Sequence, residues 1–165
     1  MPGSADKKEL VITRTFNAPR EDVFKAWTDA DDLRHWWAPK GFTVYVKSLD
    51  LREGGVFHYS QKSPEGHEMW GKFIYKEISA PNLLVFVNSF SDGEGNTVRA
   101  PFNETWPLEI LNKLEFIEHE SKTTLILRGG PMNASEEERK TFEAALDGIR
   151  KGFARTFDSL TEYLA

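Results

Sequence analysis

The hydrophobic and polar positions change period twice along the chain, from a helical to an alternating pattern and back. Leu10, Ile12 and Phe16, with Val11, Thr13 and Thr15 among them, form a β-branched run that closes at Asn17-Ala18-Pro19. Such a run reads as a strand, and the proline suits the first turn of a helix because its fixed φ and missing N–H are tolerated there. Val23, Phe24 and Trp27 then share one helical stripe, and beyond Thr28-Asp29 a second short helix repeats it with Leu33, Trp36 and Trp37 before Pro39. From Phe42 to about Gly129 the period falls to two. Turn clusters punctuate this region at Glu53-Gly54-Gly55, Ser63-Pro64-Glu65-Gly66, Ser79-Ala80-Pro81-Asn82 and His119-Glu120-Ser121-Lys122, which predicts an antiparallel meander.

Within the meander Val44 and Val46 lie on one parity and Leu49 and Leu51 on the other, so one bulge near Lys47-Ser48 is expected. Ser91 to Asn103 is polar, carries Asp92, Gly93, Gly95 and Asn96, and reads as a mobile loop too long for a tight hairpin. Pro107 in the following strand calls for an edge or a bulge, because it has no N–H for the ladder. The helical period returns after Ser135-Glu136-Glu137-Glu138, a capping box with acids in the first turn, and Phe142, Leu146, Ile149, Phe153, Phe157, Leu160 and Leu164 follow at steps of three and four. One unbroken helix from Ser135 to Leu164 is expected. At about 1.5 Å per residue it would span about 45 Å and cross the whole domain.

A length of 165 residues points to one core, assigned to residues 9–165, with a flexible polar tail over residues 1–8. That start lacks the apolar centre of a secretory signal, so a cytoplasmic location is expected. No apolar stretch approaches the roughly 20 residues a spanning helix needs, so no membrane insertion is expected. Acidic residues outnumber basic ones 26 to 21 and the basic ones are scattered, which argues against a nucleic-acid partner. With no cysteine there is neither disulfide, thiolate metal site nor cysteine nucleophile. Five Trp, four Tyr and twelve Phe exceed what packing alone demands, and such side chains also line cavities and interfaces.

A strand, two short helices, a bent antiparallel sheet of about six to seven strands and a long C-terminal helix held by that sheet is the order of the α+β helix-grip fold. RTFNAPREDVFKAWT (Arg14 to Thr28), LRHWWAP (Leu33 to Pro39), LDLREGGVFHY (Leu49 to Tyr59), WGKFIYKEISAPNLLVF (Trp70 to Phe86) and the Trp106-Pro107 pair resemble the START-like SRPBCC superfamily. Within it they are similar to homologues of the C-terminal domain of the heat-shock protein 90 ATPase activator. Gly152-Phe153 stands where many relatives carry Gly-Trp. The resemblance implies a cavity between sheet and helix, used across the superfamily for lipids, hormones and other hydrophobic molecules and at times for cyclisation or dehydration. It also implies a stress-response setting with a chaperone contact, and a homodimer is the other partner expected.

Hairpin arithmetic gives a separate list of cavity residues. With turn centres at Glu53-Gly54, Pro64-Glu65 and Ala80-Pro81, Leu49 faces His58, His58 faces Gly71, Val56 faces Phe73 and Tyr75 faces Phe86. The expected cavity residues are then Leu51, Val56, His58, Met69, Phe73, Tyr75 and Phe86 from the sheet and Phe153 from the helix. A slip of one residue would exchange the two faces. His58 in an apolar cavity could bind a ligand or transfer a proton, but a buried histidine is more often hydrogen-bonded into a core. His67 falls roughly 13 Å from His58 along the sheet, too far to share an ion. No HExxH pattern, nucleophile elbow or phosphate loop is present, so neither metal, cofactor nor catalytic residue is assigned. The leading reading is a non-enzymatic domain holding a small hydrophobic molecule. The alternatives are a cyclase- or dehydratase-like enzyme using the same cavity, and a co-chaperone or protein-interaction module.

Overall fold

The computed structural model describes residues 9–165; the expected tail over residues 1–8 lies outside the described residues. β1 (Leu10–Phe16) leads into α1 (Arg20–Thr28) and α2 (Ala30–Trp36). β2 (Thr43–Leu49), β3 (Val56–Lys62), β4 (Glu68–Ser79), β5 (Leu83–Ser91), β6 (Ile110–His119) and β7 (Lys122–Pro131) follow, then α3 (Glu136–Ala144) and α4 (Leu146–Leu164). The strands form one seven-stranded antiparallel sheet in the order β1-β7-β6-β5-β4-β3-β2. It is bent and unclosed, with β1 and β2 at its two edges, and α4 packs across β1 and against α1 and α2. This is the helix-grip α+β architecture.

Local chemistry places each element. Asp29 ends α1 and caps α2, its carboxylate accepting from the N–H groups of Asp31 and Asp32 at 2.9 and 3.1 Å, which satisfies donors that no helical carbonyl can reach. The bulge expected near Lys47-Ser48 is present, between Val46 and Ser48, and a second interrupts β4 between Tyr75 and Glu77. Each adds a residue on one strand only, so the sheet bends there. At the other end of the chain Ser135 Oγ accepts from Glu138 N at 3.1 Å while Glu138 Oε1 accepts from Ser135 N at 2.8 Å, a reciprocal capping box.

Two elements differ from expectation. The last helix is interrupted at Ala145, whose N–H bonds to Phe142 O at 3.0 Å, a three-residue step. No proline or glycine stands there; the two segments follow different neighbours. Phe142 packs against Trp106, ring centroids 5.7 Å apart, and α3 lies on β7, whereas α4 lies on β1 and α2. With 19 residues, α4 runs roughly 28 Å. Pro107 lies outside the strands, in the segment before β6, so the ladder never meets it.

The core gathers on the concave side of the sheet. Trp27 is its centre near α1 and α2, with ring centroids of Trp36, Trp37 and Phe157 at 4.8, 5.5 and 6.0 Å. Trp36 Nε1 donates to Ala26 O at 2.9 Å, which lets an indole be buried without an unpaired donor. At the far end of α4 the Tyr163 hydroxyl donates to Asp32, and Lys25 Nζ reaches the other oxygen of that carboxylate at 2.8 Å. None of the described helices is long and apolar enough to cross a membrane.

Candidate ligand-binding cavity

Between the concave face of the sheet and the two C-terminal helices lies a cavity of about 380 Å³, within the size range of small-molecule sites. Trp37, Phe90, Trp106, Phe142 and Phe153 supply aromatic wall, and Leu10, Ile110 and Ile149 supply aliphatic wall. Its polar lining residues are Tyr59, Gln61, Asn88, Ser89, Asn112 and Thr156. Among the described residues, neither an Asp, Glu, Lys, Arg nor His side chain lines it.

Strand register sets the polar floor. Tyr59 on β3 pairs with Gly71 on β4, and Asn112 on β6 pairs with Gly129 on β7. Both glycines are clearances. A Cβ at Gly71 would stand 2.6 Å from the Tyr59 hydroxyl oxygen, and a Cβ at Gly129 would stand 2.6 Å from Asn112 Oδ1. Asn88 Nδ2 donates to the Tyr59 oxygen at 3.3 Å and to Lys72 O at 2.9 Å. Gln61 Nε2 donates to Trp37 O at 2.6 Å, fixing the end of α2 against the sheet.

Burial pushes the Tyr59 hydroxyl above its ordinary pKa, against the opposing effect of the hydrogen bond from Asn88. Burial alone raises Tyr75, whose hydroxyl has no partner among the described residues. Tyr163 is pushed up to about 12, first by its hydrogen bond to Asp32 and then by burial. In all three the folded pKa lies above the usual value of 10.0. Their protonated forms therefore contribute stability in full below about pH 10, and lose it as pH rises through the folded values. The tyrosinate absorbance of the folded protein is expected to lag that of the urea-unfolded chain above pH 10, and Tm to fall in the same window. Coincident titration curves would contradict these environments.

The expected cavity residues separate into three groups. Met69 and Phe153 line the cavity. Phe73, Tyr75 and Phe86 lie on the concave side but are packed into the core, with the Phe73 and Phe86 rings stacked at 3.9 Å. Leu51, Val56 and His58 lie elsewhere. Leu51 stands in the β2–β3 turn, 40% exposed, and Val56 and His58 alternate with Phe57 and Tyr59 and so point from the opposite, convex face. The β3–β4 pairing is one residue off the expected one, with His58 opposite Lys72 and Tyr59 opposite Gly71. The reason is the odd-numbered loop Pro64-Glu65-Gly66, closed by Ser63 N to His67 O at 2.8 Å, with Gly66 at φ +95°. It centres on Glu65, not on the Pro64–Glu65 bond. The Tyr75 and Phe86 pairing is as expected.

His58 is 5% exposed. Its Nε2 donates to Asp92 O at 3.0 Å, its ring lies 4.9 Å from that of Trp70, and beside it Lys72 Nζ donates to Gly95 O at 2.9 Å. Both side chains thus hold the turn after β5 down on the convex face. That turn is itself ordered by Asp92, whose carboxylate accepts from Glu94 N and from both the N and Nδ2 of Asn96. The first part of the segment expected to be mobile, Asp92 to Asn96, is therefore tied to the sheet. No group of three or more metal-ligating side chains occurs among the described residues.

Sequence reasoning missed Tyr59, Asn88, Asn112, Trp37 and Trp106 as cavity residues. One signal was available: a glycine inside a strand marks a close approach, and Gly71 and Gly129 each mark a polar side chain laid flat across the neighbouring strand.

Among curated proteins none matches the chain in sequence. Solved structures do. Protein Ms6760 from Mycobacterium smegmatis is 25% identical, with a TM-score of 0.79 over 97% of this chain and 92% of that one. A Staphylococcus epidermidis protein is 24% identical, with a TM-score of 0.76 over 96% and 90%. The AHSA1 protein from Silicibacter pomeroyi is 18% identical, with a TM-score of 0.71 over 95% and 97%. The latter two share the fold. The family described as Activator of Hsp90 ATPase homolog 1-like protein matches residues 17–165, which takes in every element after β1, and the chain belongs to that family.

Proposed function

We propose that this chain is a non-enzymatic binding domain that holds a small, uncharged, largely apolar molecule between its sheet and its C-terminal helices. The observation that carries the reading is the cavity of about 380 Å³, walled by aromatic rings and lined by no ionisable side chain except Tyr59. An apolar guest gains by leaving water for such a surface, whereas a charged one would lose hydration without a counter-ion. General acid–base chemistry has little support here: Tyr59 is held protonated by burial, and His58, the base considered from sequence, lies on the other face. A chaperone contact, which the family's description brings to mind, has no comparable feature behind it.

The test uses the neutral fluorophore N-phenyl-1-naphthylamine on purified protein, together with native mass spectrometry for a retained ligand. Phe153→Glu, which sets a carboxylate in the cavity wall, is expected to weaken probe binding by about tenfold or more. His58→Phe is expected to leave it within about twofold, since that ring is outside the cavity. Equal binding by Phe153→Glu and wild type, with circular dichroism unchanged, would refute the proposed location.

A further inference from the structure

We infer that Asn112 is the polar anchor of the cavity, and that the molecule held there is uncharged and carries a hydroxyl group on an aromatic or otherwise apolar body. The inference rests on the reading of the cavity as a binding site and adds the chemistry of the guest. Asn112 is 4% exposed and lines the cavity. Its Nδ2 reaches Ile110 O only at 3.4 Å, and its Oδ1 accepts no hydrogen bond from the described residues. An amide oxygen that opens on a cavity and has no donor from the chain is completed there by water or by a donor group of a guest. The backbone is shaped to keep that oxygen in place, because Gly129 beneath it leaves the space that any other residue would fill.

The guest's polar group follows from the two ends of the floor. Asn112 Oδ1 needs a donor. Tyr59 already accepts from Asn88, which leaves its own O–H proton to donate. Asn88 and Asn112 are diagonal neighbours on one face of β5 and β6, since Asn88 pairs with Ile110 and Asn112 with Phe86, a spacing of roughly 7–8 Å. A hydroxyl both donates and accepts, and so complements the pair. A carboxylate would meet the Asn112 oxygen with like polarity and would find no cation in the wall.

The experiment compares 2-naphthol, its apolar counterpart 2-methylnaphthalene and the anion 2-naphthoate by displacement of N-phenyl-1-naphthylamine, on wild type and Asn112→Leu. Wild type is expected to bind 2-naphthol at least as tightly as the more hydrophobic 2-methylnaphthalene, and 2-naphthoate about tenfold more weakly or worse. Asn112→Leu should move the preference toward 2-methylnaphthalene by about tenfold, the loss of one hydrogen bond to the guest. Should Asn112→Leu fail to fold, Gly129→Ala displaces the same oxygen and should shift the ratio in the same direction. An unchanged ratio in the folded variant, or 2-naphthoate as the tightest of the three, overturns the inference and leaves the binding cavity standing. Failure of all three to displace bound probe overturns it too, and if the probe itself does not bind wild type the proposed function falls with it.

Discussion

Phe157→Ala is expected to lower the free energy of unfolding by about 3–5 kcal/mol, through lost transfer energy and the cavity left behind. The ring is 1% exposed and joins the two halves of the core. Its centroid lies 6.0 Å from those of Phe16 on β1 and Trp27 on α1, and 5.6 Å from that of Phe153. These aromatic neighbours are stiff, so they would fill the hole poorly. Glu137→Ala, at an exposed position on α3, should change stability by no more than about 0.5 kcal/mol. Urea denaturation of both variants checks the pair, and equal midpoints would contradict the assigned helix face.

Gly55→Ala should be as damaging, by a different route. A Cβ there would stand 2.0 Å from Asp50 O and 3.0 Å from Arg52 O, both backbone atoms. Neither can rotate away. Gly55 N donates to Arg52 O at 2.8 Å and Gly55 O accepts from Tyr75 N at 3.0 Å, so relief of the clash breaks the β2–β3 turn or its pairing to β4. A loss of about 3 kcal/mol or more is expected. Gly148→Ala makes the contrast: nothing lies within 4 Å of its added Cβ on α4, and removing a helical glycine should stabilise by about 0.5–1 kcal/mol. Thermal melts that rank the two variants the other way would show the β2–β3 turn to be wrongly described.

What the sequence revealed of the fold was what depends on local rules. The parity change between Val46 and Leu49 could be satisfied only by an extra residue, so the bulge was legible, and Ser135 with Glu138 announced a helix start. The break at Ala145 was not legible, because the divergence of α3 and α4 comes from Trp106 and β7, partners far away in the chain. The candidate site was harder still. An odd loop at Pro64-Glu65-Gly66 and an even one differ by a single residue, yet that residue decides whether His58 or Tyr59 faces inward. Asn88 was legible by alternation, two residues beyond Phe86 on β5, whereas Asn112 carries no such local sign, and its place on the concave side follows only from the pairing of β6 with β5.

Glu138 has one further consequence. Its Oε1 closes the capping box of α3, while its Oε2 accepts from the Arg99 guanidinium. Arg99 belongs to the segment that carries Trp106 into the cavity wall, and Thr105 meets Thr141 of α3 at 2.9 Å. The carboxyl is held below its ordinary pKa, chiefly by the hydrogen bond from Arg99. One carboxylate thus both caps a helix and fastens a wall of the cavity to it, so the segment around Trp106 and the first turn of α3 are expected to unfold together as one local unit. Hydrogen exchange is expected to report it: the amides near Trp106 and at the start of α3 should exchange at similar rates, and Glu138→Gln should speed both.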